Sequence, residues 1–394
     1  MAIAAAMLIA FASAAEAKND HVLYSFAGGN GDGARPLAGL FTDAQGNFYG
    51  TTANGGSENE CDQVGGYGCG TVFKLAPDGT ETVLYVFSGG ADGSAPHSRP
   101  VMDAAGNLYG TTFLGGTGTG VIFKISPAGK ESVLYTFQGG NDGGVLNAGV
   151  IFDDAGNLYG TTVYGGAAGQ GTVFELTARG KFKTLYSFAG GSDGGQATSG
   201  LIRDGAGNLY GTTSEGGGVN CGVGCGTVFK LTPQGQETVL YAFQGGDHDG
   251  ASPFGVTMDS KGTLYGTTLF GGLDCDSYHY GCGTAYKLTA KGEETVLHFF
   301  TGGSNGANPM SGLLMDESGA LYGSTEEGGD PACNCGTVYK LSHRGKETVL
   351  HTFGAGSDGR IPYSGLFMDA AGNLFGTTET GGTTGSGTVF EIAR

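Results

Sequence analysis

The stretch Tyr49-Gly50-Thr51-Thr52 decides the fold, because an aromatic residue, Gly and Thr/Ser-Thr return in this order seven times along the chain. Successive copies begin 60, 50, 51, 55, 57 and 53 residues apart. That period is the length of one four-stranded blade of a β-propeller. The spacing therefore predicts seven blades, whose copies of the motif begin at Tyr49, Tyr109, Tyr159, Tyr210, Tyr265, Tyr322 and Phe375.

Blade 2 shows how one repeat is built. Residues 99–103, 107–112, 120–125 and 131–137 are four short runs rich in β-branched and aromatic residues, separated by turns that contain Gly, Pro or Asp. Such runs are typical of antiparallel strands, here named a, b, c and d in chain order. No stretch of the sequence shows helical periodicity. We therefore expect an all-β protein.

The two ends of the chain predict how the propeller closes. Residues 21–26 read as a strand d with no a, b or c before them, while the chain stops just after a strand c at residues 387–392. Pairing these two segments would complete blade 7 and join the ring. The structural alternative is an open β-solenoid, which needs atypical capping units at both ends. The sequence shows no such units.

The repeated strand residues are interpreted as packing residues. The aromatic residue of each motif, the Phe of strand c and the Tyr and Phe of strand d recur in nearly every blade, as contacts between blades require. The Gly of the motif is expected to leave room for an aromatic residue of the adjacent sheet. Lys74 and Glu81 flank one c–d turn and have counterparts in other blades. They are expected to pair across the hairpin, at about 0.2–1 kcal/mol for each pair.

The N-terminus resembles a secretory signal. Residues 1–17 are apolar and Ala-rich, and they end in Ala15-Glu16-Ala17, which has the form of an Ala-x-Ala cleavage site. The apolar run is too short for a membrane span. We therefore predict a signal peptide over residues 1–17 and one domain over residues 18–394, secreted, periplasmic or at the cell surface, without membrane insertion. The alternative is a disordered Ala-rich leader.

The eight cysteines independently favour export. They fall in four pairs between strands b and c, and four even pairs at one structural position predict four local disulfides. Only the blades with long b–c loops carry them, so the bridges are expected to fix loop shape. The alternative is zinc held between the loops of blades 5 and 6, since zinc needs four ligands. The predicted pairs are Cys61–Cys69, Cys221–Cys225, Cys275–Cys282 and Cys333–Cys335.

The b–c and d–a loops share one side of the disc, called the loop face below, and they carry the variable residues. Binding sites concentrate on such loops, so the loop face is the expected binding face. Each d–a loop repeats an Asp that either caps local backbone N–H groups or joins a ring that binds a ligand or Ca²⁺ at the channel mouth. No other metal or cofactor is expected. These residues are Asp32, Asp92, Asp142, Asp193, Asp249 and Asp358, with Asn305 in blade 6.

The b–c loop of blade 5 gathers carboxylates, aromatic rings and a histidine within eight residues. An aromatic ring can cover the apolar C–H face of a sugar while carboxylates accept hydrogen bonds from its hydroxyls. These residues are therefore candidate glycan contacts, and the alternative is that the tyrosines pack on the neighbouring blade. The candidates are Asp274, Asp276, Tyr278, His279 and Tyr280, with Tyr67 in the similar loop of blade 1.

Several function classes are disfavoured by the sequence. The formal net charge of −18 argues against nucleic acid and anionic membranes as partners. No Gly-x-Ser-x-Gly elbow, His-Glu-x-x-His motif or phosphate loop is present, so no catalytic residue is assigned. We expect a monomeric binding or scaffold module for an extracellular polysaccharide or a surface protein. The alternatives are an extracellular lyase or hydrolase with its site at the channel mouth, and a structural envelope protein.

The repeated phrases also resemble a known family. Gly-Asn-Leu-Tyr-Gly-Thr-Thr, Gly-Thr-Val-Phe-Lys-Leu and Glu-Thr-Val-Leu-Tyr-x-Phe-x-Gly-Gly resemble the GloVer tandem repeat of exported bacterial proteins, over essentially all of residues 20–394. The resemblance implies a secreted or surface repeat protein of uncharacterised activity. The a–b phrase is also similar to propellers of the NHL and kelch types and, more distantly, to streptogramin lyases, whose catalytic residues have no matching motif here.

Overall fold

Seven sheets of four antiparallel strands form the blades of a propeller. This computed structural model describes residues 20–29, 31–57, 60–61, 66–218, 220–273, 280–354 and 356–394, with only the backbone described at Asp20, Glu60, Gly66 and Tyr67. The described residues contain no α-helix, and two 3₁₀ turns lie at Gly191–Asp193 and Gly303–Asn305. The predicted all-β, seven-bladed fold is confirmed.

Each blade contributes strands a, b, c and d, and consecutive strands are neighbours in its sheet. Strands a are Phe41–Thr42, Val101–Met102, Ile151–Phe152, Ile202–Arg203, Gly250–Met258, Leu314–Met315 and Phe367–Met368. Strands b are Phe48–Thr52, Leu108–Thr111, Leu158–Thr162, Leu209–Thr213, Leu264–Gly271, Leu321–Thr325 and Leu374–Thr378. Strands c are Thr71–Leu75, Val121–Ile125, Thr172–Leu176, Thr227–Leu231, Thr284–Leu288, Thr337–Leu341 and Thr388–Ile392.

Strands d are Glu81–Val86, Glu131–Thr136, Phe182–Ser187, Glu237–Ala242, Glu294–Phe299, Glu347–Thr352 and, for blade 7, Asp20–Ser25. Two further short pairs lie in blade 1. They join Gly33–Ala34 to Asn54–Gly55 and Glu60–Cys61 to Gly66–Tyr67.

The ring closes as the sequence predicts. Strand Asp20–Ser25 pairs antiparallel with Thr388–Ile392, with Val22 opposite Phe390 and Ser25 opposite Thr388. The first described strand therefore completes the sheet of the last blade. This pairing excludes the open β-solenoid, in which the two ends would lie at opposite ends of the stack.

The polar residues of the repeated motif connect each blade internally and to its neighbour. The Tyr49 hydroxyl donates to the Asp43 carboxylate of the a–b turn at 3.0 Å. The Thr51 hydroxyl donates to the carbonyl of Ser98 in blade 2 at 3.1 Å. The two hydroxyls of Thr52 and Thr71 lie 2.8 Å apart and link strands b and c. The motif thus supplies one bond to its own turn, one to the next blade and one within the sheet.

The glycine of the motif makes room for an aromatic residue, but not one of the adjacent sheet. Gly50 lies directly opposite Phe73, which belongs to strand c of the same sheet. A Cβ atom added to Gly50 would lie 2.5 Å from Phe73 Cζ, closer than packed atoms allow. Our expectation was therefore wrong about the sheet, because the cross-strand partner, rather than the neighbouring blade, covers this position.

Aromatic rings pack edge to face between neighbouring blades. Phe87 at the end of strand d in blade 1 lies 5.2 Å from Phe123 of strand c in blade 2, centroid to centroid, and the pair is T-shaped. The contact between blade 7 and blade 1 is equivalent, with Phe26 5.1 Å from Phe73. Such pairs are worth about 0.5–1.5 kcal/mol beyond the area they bury. The same type of aromatic contact therefore stabilises the closing junction between blades 7 and 1 and the junction between blades 1 and 2, which are consecutive in the chain.

The predicted Lys–Glu pairs across the c–d turn are wrong. Lys74 lies opposite Thr82, and Glu81 lies opposite Leu75. Because successive side chains of a strand point to opposite faces of the sheet, Lys74 and Glu81 face away from each other. In blade 2 the equivalent Lys124 instead lies over the Tyr109 ring, with its Nζ 5.3 Å from the ring centroid.

Disulfides staple the long b–c loops as predicted. The Cα atoms are 5.3 Å apart in Cys61–Cys69, 5.1 Å apart in Cys221–Cys225 and 5.2 Å apart in Cys333–Cys335. Cys282 is also disulfide-bonded, and its predicted partner Cys275 lies outside the described residues. Because Cys282, Cys333 and Cys335 are bridged, they carry no thiolate for zinc, and the zinc alternative for blades 5 and 6 is wrong.

Candidate binding site on the loop face

The acidic residues of the d–a loops are held by their own loops. Asp249 accepts hydrogen bonds from the Tyr241 hydroxyl at 3.1 Å and from the backbone N–H groups of Gln244 and Gly250 at 2.7 Å. Burial raises the pKa of the Asp249 carboxyl, although these three bonds act to lower it. The side chain thus organises the turn that leads from one blade to the next.

The other d–a loops repeat this arrangement, with a bond from a Tyr or His of strand d and one from the start of the loop. In blade 6 the Asn305 side-chain oxygen accepts from the Thr301 N–H at 3.1 Å. The described residues hold no group of three His, Cys, Asp or Glu side chains placed to share a metal ion. Ligand binding by these carboxylates stays a prediction. They are Asp32, Asp92, Asp142, Asp193 and Asp358.

A groove of about 680 Å³ opens on the loop face between blades 4 and 5. Its walls come from three loops, within residues 214–215, 220–224, 246–252, 270–272 and 280–281. Small-ligand sites in proteins typically measure about 300–1,000 Å³. This space, called the blade 4–5 groove below, is therefore large enough to hold a ligand rather than single waters.

Exposed apolar side chains line the blade 4–5 groove. Tyr280 is 73% exposed and Val223 is 69% exposed, and both lie on its walls. The Phe270 ring is tilted against the Tyr280 ring, with the centroids 6.0 Å apart. Large apolar side chains grouped in a concavity on a soluble protein mark a contact surface. The groove thus has an aromatic platform.

Polar groups surround this platform. Glu215, Asn220, Asp247 and Ser252 all line the groove. Burial raises the pKa of the Glu215 carboxyl. The Asn220 side-chain amide donates to the Gln244 carbonyl at 3.0 Å, which fixes its orientation and leaves its oxygen as an acceptor. Hydrogen-bond acceptors beside aromatic rings suit a ligand that carries many hydroxyl groups.

The loops that form the groove are anchored by covalent and backbone bonds. Cys221–Cys225 closes the blade 4 loop over a separation of four residues. In blade 5 the Gly271 N–H donates to the Tyr280 carbonyl at 2.7 Å. These bonds hold the Tyr280 backbone against the end of strand b, so the ring is presented from a fixed position.

The structure places one of the predicted glycan contacts in the groove, Tyr280. Tyr67 lies in the short strand Gly66–Tyr67 of blade 1, where only the backbone is described. Sequence reasoning missed Val223, which belongs to the neighbouring blade 4, and Phe270, which lies at the end of strand b in the same blade as Tyr280. The remaining candidates, Asp274, Asp276, Tyr278 and His279, lie outside the described residues.

A second cavity of about 440 Å³ lies on the propeller axis and is lined by all seven blades. His97 on its wall stacks on Phe113, with ring centroids 4.6 Å apart. Burial lowers the pKa of His97 to about 4, although a hydrogen bond with the Asn147 side chain acts to raise it. The ring is therefore neutral at neutral pH, and its partners are an amide and an aromatic ring rather than a nucleophile.

A closed ring of seven sheets with stapled loops defines an extracytoplasmic β-propeller, since disulfides persist in oxidising compartments. The chain belongs to the Gloeobacter/Verrucomicrobia repeat family, whose sequence profile matches residues 60–278 and 275–394. The resemblance noted from the repeated phrases is confirmed. No curated protein matches the chain significantly.

Solved structures share the fold at low sequence identity. The extracellular domain of a protein described as a hybrid two-component system from B. thetaiotaomicron is 14% identical, with a TM-score of 0.56 over 96% of this chain and 41% of that one. The extracellular domain of a one-component system from the same organism is also 14% identical, with a TM-score of 0.57 over 96% and 42%. Puromycin hydrolase is 12% identical, with a TM-score of 0.54 over 88% and 50%.

The chain thus spans about two fifths to one half of the length of these structures. At this level of identity the likeness concerns the fold alone. Within the described part of the chain, no helix is long and apolar enough to cross a bilayer.

Proposed function

We propose that this protein is an exported binding module that takes a hydroxyl-rich glycan in the blade 4–5 groove. The observation that carries the proposal is the exposed Tyr280 ring beside Phe270 in a groove bordered by polar side chains. Aromatic faces stack on the C–H face of a sugar, and carboxylate and amide oxygens accept hydrogen bonds from its hydroxyls.

The charge of the groove favours a neutral glycan over an acidic one. Glu215 and Asp247 line it, and the chain carries a formal net charge of −18. Like charges brought together in a partly desolvated site repel each other. In this proposal the mature chain, residues 18–394, works outside the cytoplasm as a monomer after removal of the signal peptide.

A glycan array followed by titration tests the proposal. We expect the wild-type protein to bind neutral oligosaccharides and Tyr280→Ala to bind the best of them at least tenfold more weakly, because the exposed ring provides the stacking surface. Tyr164→Ala is the matched control, since Tyr164 is also an exposed tyrosine, 49% accessible, and is not part of the groove lining.

Two outcomes would overturn the proposal. One is a wild-type protein that binds no glycan, and the other is equal affinity of the wild type and Tyr280→Ala. The bound oligosaccharide should also be recovered intact after prolonged incubation. New reducing ends or unsaturated products would show that the protein cleaves the oligosaccharide, and they would favour the hydrolase or lyase alternative over a binding module.

A further inference from the structure

The wall of the central channel carries one exception to a sevenfold pattern. At one equivalent position near strand a, six blades carry a glycine, all of which except Gly149 line the channel, and blade 2 carries Arg99. Arg99-Pro100 in blade 2 replaces the glycine and the branched apolar residue that follows it in the six other blades. The six glycines are Gly39, Gly149, Gly200, Gly255, Gly312 and Gly365.

Arg99 extends into the space that the glycines leave open. Its Cδ lies 3.7 Å from the position that a Cβ on Gly39 would take, so the side chain reaches along the wall toward blade 1. The residue is solvent-exposed and lines the axial cavity. The surrounding wall removes part of its water and lowers the pKa of the guanidinium, which nevertheless stays charged at neutral pH.

The Arg99 guanidinium lacks a carboxylate partner within the described part of the chain. Among the residues that the structure describes, no carboxylate forms an ion pair with it. Two carboxylates act on the channel residue Tyr363: Glu379, which is paired with Arg35 of blade 1, and Glu326, whose pKa burial raises to about 7. An exposed guanidinium on a cavity wall, with no carboxylate partner among the described residues, can pair with an anion that enters from solvent. The anion is therefore expected to come from outside the chain.

The rest of the channel wall offers neutral hydrogen-bonding groups. In six blades the residue two positions before the glycine (or Arg99) also lines the cavity, and the polar members are His97, Asn147, Thr198 and Tyr363. His97 is uncharged at neutral pH because burial lowers its pKa to about 4. These groups bind hydroxyls and add no second positive charge. Among the described residues that line the cavity, Arg99 carries the one formal charge, while Glu326 and the Arg35–Glu379 pair lie near enough to affect the pKa of Tyr363.

We propose that the central channel binds a small hydroxy-carboxylate of the size of a sugar acid, with its carboxylate held by Arg99 and its hydroxyls by the polar residues of the wall. A guanidinium binds a carboxylate through two parallel N–H···O bonds. The cavity of about 440 Å³ lies within the range of small-ligand sites. This site is separate from the blade 4–5 groove and goes beyond the proposed glycan binding there.

Calorimetric titration with D-glucuronate and D-galacturonate tests the channel site, with D-glucose and D-galactose as uncharged controls. We expect at least one sugar acid to bind and its uncharged counterpart to bind at least tenfold more weakly. Arg99→Gly, which restores the residue found in the six other blades, is expected to weaken sugar-acid binding at least tenfold. Arg99→Lys should retain part of the affinity, because it keeps the charge and loses the two-pronged geometry.

A folding readout separates ligand binding from a structural role of Arg99. Without ligand, Arg99→Gly is expected to unfold at the same temperature as the wild type or higher, since an unpaired charge is removed. A trigalacturonate titration distinguishes the two sources of the same chemistry, the free sugar acid and the end of an acidic polysaccharide. The proposal is supported if the wild type binds the free sugar acid or trigalacturonate and Arg99→Gly no longer does.

The proposal is overturned if none of these acids binds the wild type, or if Arg99→Gly binds them unchanged. It is also overturned if Arg99→Gly unfolds at a clearly lower temperature without ligand, because Arg99 would then serve the fold. Tyr280→Ala is expected to bind the sugar acid like the wild type. The Tyr280→Ala variant therefore tests glycan binding in the groove, and the Arg99→Gly variant separately tests sugar-acid binding in the channel.

Discussion

The Thr377 hydroxyl donates a hydrogen bond to the backbone carbonyl of Ala38 at 3.0 Å, across 339 positions of the chain. The same bond joins blades that are consecutive in sequence, as where Thr161 donates to Ser199 at 3.2 Å. The junction between blade 7 and blade 1 is therefore built like the junctions whose blades the chain connects directly. The repeat closes on itself without a special joint.

Removing this bond tests how much the closing junction contributes. Thr377→Val is expected to lower the free energy of unfolding by about 1–2 kcal/mol, because the buried Ala38 carbonyl loses its donor. Thr161→Val is the matched control at an internal junction and should cost a similar amount. Equilibrium urea unfolding measures both. A Thr377→Val protein as stable as the wild type would contradict this account of closure.

The acidic d–a loop residues are expected to act as caps. Asp193 accepts hydrogen bonds from the Tyr186 hydroxyl and from the Ala189 N–H at 2.6 Å. Asp193→Ala should therefore cost about 1–2 kcal/mol of stability. Asp193→Asn should cost less, because blade 6 already uses Asn305 in this role. Thermal unfolding of the three proteins measures the difference.

The same variants examine the Ca²⁺ alternative. If the side chains act as caps alone, millimolar CaCl₂ and excess EDTA should give the same melting temperature. A melting temperature that rises with CaCl₂ in the wild type, and no longer rises in Asp193→Asn, would instead favour a calcium-binding ring.

The stability of the protein is expected to fall as the pH rises toward neutrality. Burial raises the pKa of four glutamates at the start of strand d to about 7, and one carboxyl oxygen of each has no hydrogen-bond partner: Glu81, Glu237, Glu294 and Glu347. In the unfolded chain these groups titrate near 4.5. Between these values the folded state binds more protons, so stability decreases with rising pH and levels off above pH 7.

At lower pH the stability is expected to decrease again, because the aspartates of the a–b turns become protonated. Burial acts to raise the pKa of Asp43, but hydrogen bonds from Asn47 and Tyr49 lower it below its ordinary value of 3.8. Its contribution to stability is present above that value and is lost as the pH falls through the lower folded pKa. We therefore expect the melting temperature to be highest at about pH 4–5.

Melting temperatures from pH 3 to pH 8 check both trends. The double variant Glu237→Gln/Glu294→Gln should show a weaker decline between pH 5 and pH 7, because two of the groups that take up protons on folding are absent. A wild-type melting temperature that increases steadily from pH 5 to pH 7.5 would contradict the assignment.

Local patterns predicted the architecture well and the contact partners less well. The spacing of the Tyr-Gly-Thr-Thr motif gave the number of blades, and the order of strands at the two ends gave the closure. The expected Lys74–Glu81 pair failed because a one-residue offset in register moves a side chain to the opposite face of the sheet. Register depends on how the whole sheet is buried, so two residues that flank a turn do not reveal it.

The candidate sites were likewise predicted only in part, since the sequence indicated single residues but not the neighbours that they contact. Tyr280 was recognised from the composition of its own loop, whereas Val223 gained a role only because loops of blades 4 and 5 meet at one groove, and Phe270 because the chain folds its ring against that of Tyr280. Arg99 is visible in the sequence as a departure from the repeat. Nothing in the sequence shows that this position faces a channel or that no carboxylate in the described part of the chain pairs with the guanidinium.

By itself the sequence determined a closed ring of seven blades with bridged loops. The repeat spacing and the cysteine pairs can be read directly along the chain, and the order of the strands at its two ends then implies closure. The tertiary structure alone decided which side chains share a space: the Tyr280 platform, the axial Arg99 and the residues that line the channel around it. The physical reason is that each of these sites is assembled from different blades. Their proximity follows from packing the blades around an axis, which no single repeat encodes.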